Sequence, residues 1–374
     1  MIADTVEYRT SDGSTLLTHS EDGGLRTFIL APDILSPSLT ALTPYSTTYT
    51  PSRTYATALY PHSSLSTPDS LLYLASCRGG PIRLHSLLHS SLLSSYRLIS
   101  PHTEAYTTPH SLLIPPGSPH TFVAGSDSQL SFFDLNRSGS EPTRALKTIP
   151  TRRSPATTTT MKGLVTALAL GSGGVLAAGT NTRQVGLYAG DGGGEVVGVF
   201  HIPEEPTEEA GGGVTQLLWS RCERYLFIAE RRSGVVSVYD IRNTGLRVKS
   251  LGGRGAQTNQ RMGVDIAAAL GGEVVGGGMD GMVRIWRGEE GGEADGGWKA
   301  HGDVVTAAAV HPFGEIVATC SGSRKTFGLG GGSSGSGSET DSSSVDVDTP
   351  WDNSLKIWEI PRAQSISSPE DKEP

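Results

Sequence analysis

One pattern recurs along the whole chain, and it limits the fold more than any other feature. A short apolar run is followed by Ser, Thr or Gly, a turn, and an alternating strand that ends near an aromatic ring. It occurs at 17–30 (LTHSEDGGLRTFIL), 74–86 (LASCRGGPIRLHS), 123–135 (VAGSDSQLSFFDL) and 177–189 (AAGTNTRQVGLYA). It returns at 228–241 (IAERRSGVVSVYDI), at 275–286 (VGGGMDGMVRIW), and in split form at 318–321 (ATCS) and 352–360 (DNSLKIWEI). That makes seven copies. A unit of this size cannot bury its apolar face alone, so the copies must stack against one another.

The rings are Phe28, His85, Phe133, Tyr188, Tyr239, Trp286 and Trp358, at spacings of 57, 48, 55, 51, 47 and 72. Removing the Gly/Ser insert at 323–351 brings the last spacing close to the roughly 40–45 residues of a four-stranded propeller blade. Four copies place Asp six residues before the ring: Asp22, Asp127, Asp280 and Asp352. An Asp in a turn accepts local hydrogen bonds, and the ring fills space between blades. Turn signals such as Asp12-Gly13, Pro116-Gly117 and Phe313-Gly314 precede copies by about one strand. Helical periodicity is weak; only 84–98 fits helix and strand equally. The reading is all-β, a seven-bladed WD40-type β-propeller. One domain is expected over 1–360, with 323–351 as a low-complexity insert in the last blade and 361–374 as a disordered tail. The first strand is expected near 6–10. Closure needs a chain-end strand, so the sequence predicts either a truncated N-terminus or a last blade one strand short.

Composition narrows the function. Lys+Arg 30 against Asp+Glu 38 gives a formal net charge of −8, which argues against coating nucleic acid by bulk charge. Cys77, Cys222 and Cys320 form no CxxC pair, so neither a zinc site nor a disulfide framework is expected, and each thiol is expected inside a strand. Scattered thiols fit a reducing compartment. The start of the chain does not read as a signal peptide, and no apolar run reaches the length of a membrane span. Polar loops are expected at 150–162 and, acidic in character, at 190–213.

Chemistry-bearing motifs are sparse. Gly276-x-Gly278-x-x-Gly281 matches a dinucleotide fingerprint but lies between two strands with no βαβ unit, so a repeat turn explains it better. His301 opens the last repeat and reads as a buried member of a blade hydrogen-bond network rather than as a catalytic base. The other histidines show no metal-ligand spacing. No cofactor, metal, membrane or small-molecule substrate is expected, and the chain reads as a non-enzyme.

One constellation stands out. Between Arg221 and Arg261 lie nine basic residues and three acidic ones, +6 within a −8 chain. Arg forks pair with phosphate and stack on bases, and neutral amides suit base edges. The candidate RNA-binding residues are Arg231, Arg232, Arg242, Lys249, Arg254, Gln257, Asn259 and Arg261. Several of these fall in or beside turns, which would let them line one propeller face. The bland reading is a dispersed, solvated surface.

At 254–266 (RGAQTNQRMGVDI) the chain resembles the telomerase Cajal body protein family and its fungal relatives, which include a nuclear, splicing-associated WD-repeat protein. The distinctive piece is Thr258-Asn259-Gln260-Arg261 followed by Val264-Asp265-Ile266. Tyr239-Asp240-Ile241-Arg242 matches the preceding strand end, and Asp12-Gly13-Ser14 with Leu17-Thr18-His19-Ser20 resembles the first blade. The ordered likeness covers roughly 6–360. It departs at His85, where an aromatic is typical, and in the fourth blade, which lacks the Asp before Tyr188. The resemblance implies a non-enzymatic RNA/RNP adaptor. Its partners would be small nuclear or Cajal-body RNAs, telomerase RNA among them, and their RNP proteins, with chaperonin assistance in folding. It would act in RNP localisation or pre-mRNA splicing, in the nucleus with some cytoplasmic pool. The competing reading is a WD-repeat protein-interaction scaffold without direct RNA contact.

Overall fold

The computed structural model describes residues 3–7 (backbone only), 12–36, 41–149, 160–204, 211–243, 245–267, 271–287, 291–314, 316–322 and 352–360. The expected insert at 323–351 and tail at 361–374 lie outside these residues, as do most of the loop at 150–162 and residues 205–210 of the acidic loop. The architecture is the predicted one: seven antiparallel sheets arranged as a propeller, with three short 3₁₀ turns and no α-helix among the described residues.

Each blade runs outward in chain order. The inner strands are Ala3–Glu7, Thr54–Leu59, Ser111–Leu113, Val165–Leu170, Val214–Trp219, Val264–Ala267 and Val305–Val310. Blades 1 to 6 have four strands, and blade 7 has three among the described residues. The first strand starts a few residues earlier than the sequence predicts. The ambiguous stretch at 84–98 resolves into strands Ile82–Ser86 and Leu92–Tyr96.

The seven rings all lie on third strands. Phe28, His85, Phe133, Tyr188, Tyr239 and Trp286 are buried, and Trp358 is half-buried. Seven apolar clusters each join neighbouring blades. One packs Leu16 and Phe28 of blade 1 against Ala307, Ala309 and Cys320 of blade 7, which closes the ring. The Ser/Thr/Gly positions of the repeat have a tertiary cause. A Cβ at Gly125 would lie 2.7 Å from Val165, one at Gly179 2.5 Å from Val214, and one at Gly277 2.6 Å from Val305. Each valine opens, or nearly opens, the inner strand of the next blade. Second strands approach their neighbours so closely there that larger side chains do not fit.

The Asp positions work as local turn acceptors. Asp22 accepts from Gly24 N at 2.9 Å and from Arg26 Nη2 at 2.6 Å; Asp280 accepts from Met282 N at 3.1 Å and Arg284 Nη2 at 2.6 Å. Those arginine bonds hold each carboxyl below its usual range. Asp352 is bonded by Gly302 N at 2.8 Å and Lys356 Nζ at 3.2 Å. His301 is buried, as predicted. Its Nε2 is 2.7 Å from Thr319 Oγ1 and its Nδ1 3.2 Å from Asp352, and Trp358 Nε1 donates to Thr319 Oγ1 at 2.9 Å.

His85 acts as an aromatic. Its ring stacks on Tyr73 with centroids 5.4 Å apart, burial lowers its pKa against an opposing main-chain contact with Ser91, and no well-formed hydrogen bond reaches either nitrogen among the described residues. A neutral imidazole with unmet nitrogens gives up stability that a phenyl ring would not. We expect His85→Phe to raise stability by about 1 kcal/mol in urea titrations at neutral pH.

One expectation about the thiols is corrected. Cys77 and Cys320 are buried in strands, but Cys222 is exposed in a turn, where it packs no core. The GxGxxG glycines sit as the sequence predicts, in a repeat turn: Gly276 is in strand Glu273–Gly277, and Gly278 and Gly281, the latter at φ +76°, are in the turn before strand Met282–Trp286.

Candidate nucleic-acid interface

Because inner strands all run the same way along the axis, the end at which they begin defines one face, here called the upper face. It carries the loops between blades and the turns between second and third strands. In blade 5 these are the turn 231–235 and the loop 252–263. They hold Arg231, Arg232, Arg254, Gln257, Asn259 and Arg261. The basic segment is therefore divided. Arg242 lies in the turn 241–246 on the opposite face, paired with Asp240 through Nε at 2.9 Å. Lys249 is in the outer strand Arg247–Leu251. Arg254 is on the upper side but buried at 1% exposure, with its guanidinium bonded to Met262 O. Reversal of the chain at every turn sends alternate loops to opposite ends, so nearness in sequence does not give a shared face. Arg242, Lys249 and Arg254 thus leave the set that a ligand on the upper face can touch.

The remaining residues are brought together by main-chain bonds. Arg232 N donates to Thr258 O at 3.0 Å, Arg254 N to Gly234 O at 2.9 Å, and Arg231 Nη1 to Asn259 O at 2.8 Å. Arg232, Gln257 and Asn259 are exposed beside half-buried Arg231 and Arg261. The Thr258–Arg261 element also clasps blades. Gln260 Nε2 donates to Gly322 O at 2.7 Å, and Arg261 Nη2 donates to Thr166 O at 2.7 Å and Thr215 O at 2.8 Å. The acceptors follow from irregular pairing. Blades 1, 2, 4, 5 and 7 shift register at the upper end of the inner strand, and such a bulge leaves main-chain groups outside the ladder. Thr166 and Thr215 sit at two of these shifts. At a third, Thr306 O takes Gly263 N at 2.8 Å.

A central channel of about 810 Å³ opens on this face. Its upper wall carries Arg53, Arg231 and Arg261 with His19 and His110. Arg53, His19 and His110 are not among the residues that sequence reasoning selected. A positional signal existed: Arg53 and His110 each stand directly before an inner strand, visible once blades are aligned. Burial, then the charges of Arg53 and Arg261, push the His19 pKa down from 6.5 to about 4. Burial, then Arg261 and Arg231, lower His110; burial, then Arg53, lowers Arg231.

These shifts set a pH dependence. His19, His85, His110 and His301 all have folded pKa values lowered by burial. The unfolded chain therefore binds more protons, and stability is whole above the unfolded value of 6.5 and declines below it. For His19 the decline continues to about pH 4 and corresponds to roughly 3 kcal/mol. Asp22 and Asp352, whose values are lowered, begin to lose their contribution only near their unfolded value of 3.8. Urea midpoints measured between about pH 7.5 and 5 are expected to fall with no change in slope.

Among the described residues, no group of three or more His, Cys, Asp or Glu is suited to a metal, and no helix is long and apolar enough to cross a membrane. No family model matches the chain. It is similar to the guanine nucleotide-binding protein negative regulator 1 of Schizosaccharomyces pombe, 29% identical over 75% of this chain and 69% of that one. It is similar to human telomerase Cajal body protein 1, 26% identical over 84% of this chain and 56% of the human protein. It is also similar to the SWT21 protein of Zygosaccharomyces rouxii, 24% identical over 74% and 64%. The chain spans little more than half the length of the animal relatives. With seven ordered blades and these similarities running through most of the chain, the protein is a propeller similar over most of its length to the telomerase Cajal body protein and to fungal proteins.

Proposed function

We propose that the protein is a non-enzymatic nuclear adaptor that binds small nuclear or Cajal-body-type RNAs on its upper face and supports RNP localisation or pre-mRNA splicing. One observation carries the reading: Arg231, Arg232, Gln257, Asn259 and Arg261 meet on that face, although the chain as a whole is acidic. Guanidinium groups beside exposed amides suit phosphates and the edges of unpaired bases. The relatives' names favour RNP partners and a nuclear location; we propose some cytoplasmic pool and chaperonin assistance in folding beside them. A propeller rim offers fixed loops for such contacts, and function resides in that site rather than in the fold.

The test is ultraviolet crosslinking of the tagged protein with sequencing of bound RNA, repeated for the variant Arg232→Ala/Gln257→Ala/Asn259→Ala. These exposed side chains make none of the blade-clasping bonds. RNA recovery is expected to fall at least about tenfold while the melting temperature is unchanged. Unchanged recovery would remove these residues from the interface. A wild-type signal no higher than an untagged control, with protein partners surviving nuclease, would establish the protein-scaffold reading instead.

A further inference from the structure

Arg254 is a charge that folding alone does not explain. It is 1% exposed, and its guanidinium makes one bond, from Nη2 to Met262 O at 2.5 Å. Its Nε and Nη1 meet no acceptor among the described residues. Burial by itself pushes its pKa down from 12.5 to about 10, and no carboxylate opposes that fall. Acids around the base of its loop are engaged elsewhere: Asp280 accepts from Arg284 Nη2 at 2.6 Å, and Glu293, beside Gly253, pulls on the same Arg284. A buried cation without an anion costs folding free energy, and an apolar side chain of similar volume often serves stability better. Such a group calls for an explanation outside the folded chain itself.

We propose that Arg254 is a buried positive charge that draws the RNA backbone onto the loop above it, acting through space on phosphates it does not touch. This rests on the RNA reading of the upper face and names how the loop attracts a strand. The loop has an underside and an outer side. Arg254, Ala256 and Met262 are buried below, the last two packed with Val304, while Gln257 and Asn259 are exposed. The bond from Arg254 to Met262 O closes the loop across its base. Gln257 is three residues from Arg254 and Asn259 three from Met262, so each lies within about 11 Å of one end of that closure.

Over such a distance an interior charge is felt at the surface, because the protein between them screens less than water does. Nothing has to move for it to act. Met279 N donates to Gly255 O at 2.8 Å, Arg232 N to Thr258 O at 3.0 Å and Gln260 Nε2 to Gly322 O at 2.7 Å, so the loop is fixed over the charge before a ligand arrives. A charge already in place adds no ordering cost to binding. A single strand of RNA suits this arrangement. Its phosphates take up the attraction, and the exposed amides of Gln257 and Asn259 remain free for base and sugar edges. Arg254 then gives up stability in return for affinity.

The experiment compares the whole wild-type protein with Arg254→Met and Arg254→Gln. Both variants remove the charge, and Gln keeps a donor for Met262 O. Binding of a labelled, mixed-sequence single-stranded RNA of about 16 nucleotides is measured by fluorescence anisotropy, in salt near 100 mM and near 500 mM. Melting temperatures are measured in parallel. Both variants are expected to bind about fivefold more weakly at the lower salt, with the loss shrinking below about twofold at the higher. The melting temperature of Arg254→Met is expected to equal or exceed that of the wild type. An affinity loss of the same size at both salts, with lowered melting temperatures, would make Arg254 a prop for the loop and overturn the inference. Unchanged affinity in both variants would overturn it alone and leave the RNA reading to Arg232, Gln257 and Asn259. A wild type that binds no RNA would sink that reading, and this inference with it.

Discussion

Gly281→Ala is expected to remove about 4 kcal/mol of folding stability, a large share of the total for an ordinary domain. Two costs combine. Gly281 has φ +76°, a conformation that costs an L-residue roughly 1–2 kcal/mol. A Cβ there would also press into the His301 carbonyl oxygen and lie 2.9 Å from Asp303 O, both main-chain atoms of the loop entering blade 7. That loop cannot simply retreat, because Gly281 O holds Ala300 N at 3.0 Å and His301 N at 3.1 Å. Gly79→Ala is the control: φ is similar at +70°, and nothing lies within 4 Å of the added carbon. It should cost only the conformational part. Equal losses in urea titrations of the two variants would refute the packing argument.

His301→Ala is expected to cost about 3 kcal/mol. Trp358 N–H donates to Thr319 Oγ1, which directs the Thr319 hydroxyl proton to His301 Nε2 and leaves His301 Nδ1–H to face Asp352. This chain needs a neutral imidazole. Burial supplies that condition by lowering the His301 pKa in spite of the opposing pull of Asp352. Removing the ring opens a cavity and strands the Thr319 hydroxyl. Thr319→Val alone strands the partner nitrogen of His301, whereas the double variant removes both ends. The two losses should therefore be non-additive by about 1–2 kcal/mol, with the double variant less damaged than the sum. Additive losses would show that the groups do not act as one network.

The same region shows how far residue patterns reach. The seven rings were legible because each third strand places a ring near its end, and a ring recurring at that place leaves a mark in any single strand. The turns at Asp22 and Asp280 were legible for the same reason, since their partners lie two and four residues on, whereas Asp352 also takes Gly302 N from 50 residues away. His85 was visible only as a departure; that it stacks on Tyr73 as a neutral ring depends on the adjacent second strand.

The candidate interface was legible only in part. Thr258-Asn259-Gln260-Arg261 stood out as unusual, but its bonds reach partners far along the chain: Thr166 is 95 residues from Arg261, and Gly322 is 62 from Gln260. The burial of Arg254 and the placing of Arg242 on the opposite face have no local signature. Nor does the placing of Arg53 and Arg231 along one channel, since loops of different blades share it only because the ring closes.

The sequence by itself determined the all-β class, the number of blades and the position of each ring and turn, because strand alternation and turn chemistry act over a few residues. The tertiary structure alone decided which charges share a face, which arginine is buried and which cations line the channel. Those depend on the path of the loops and on closure of the ring, where contacts join residues that no local pattern relates.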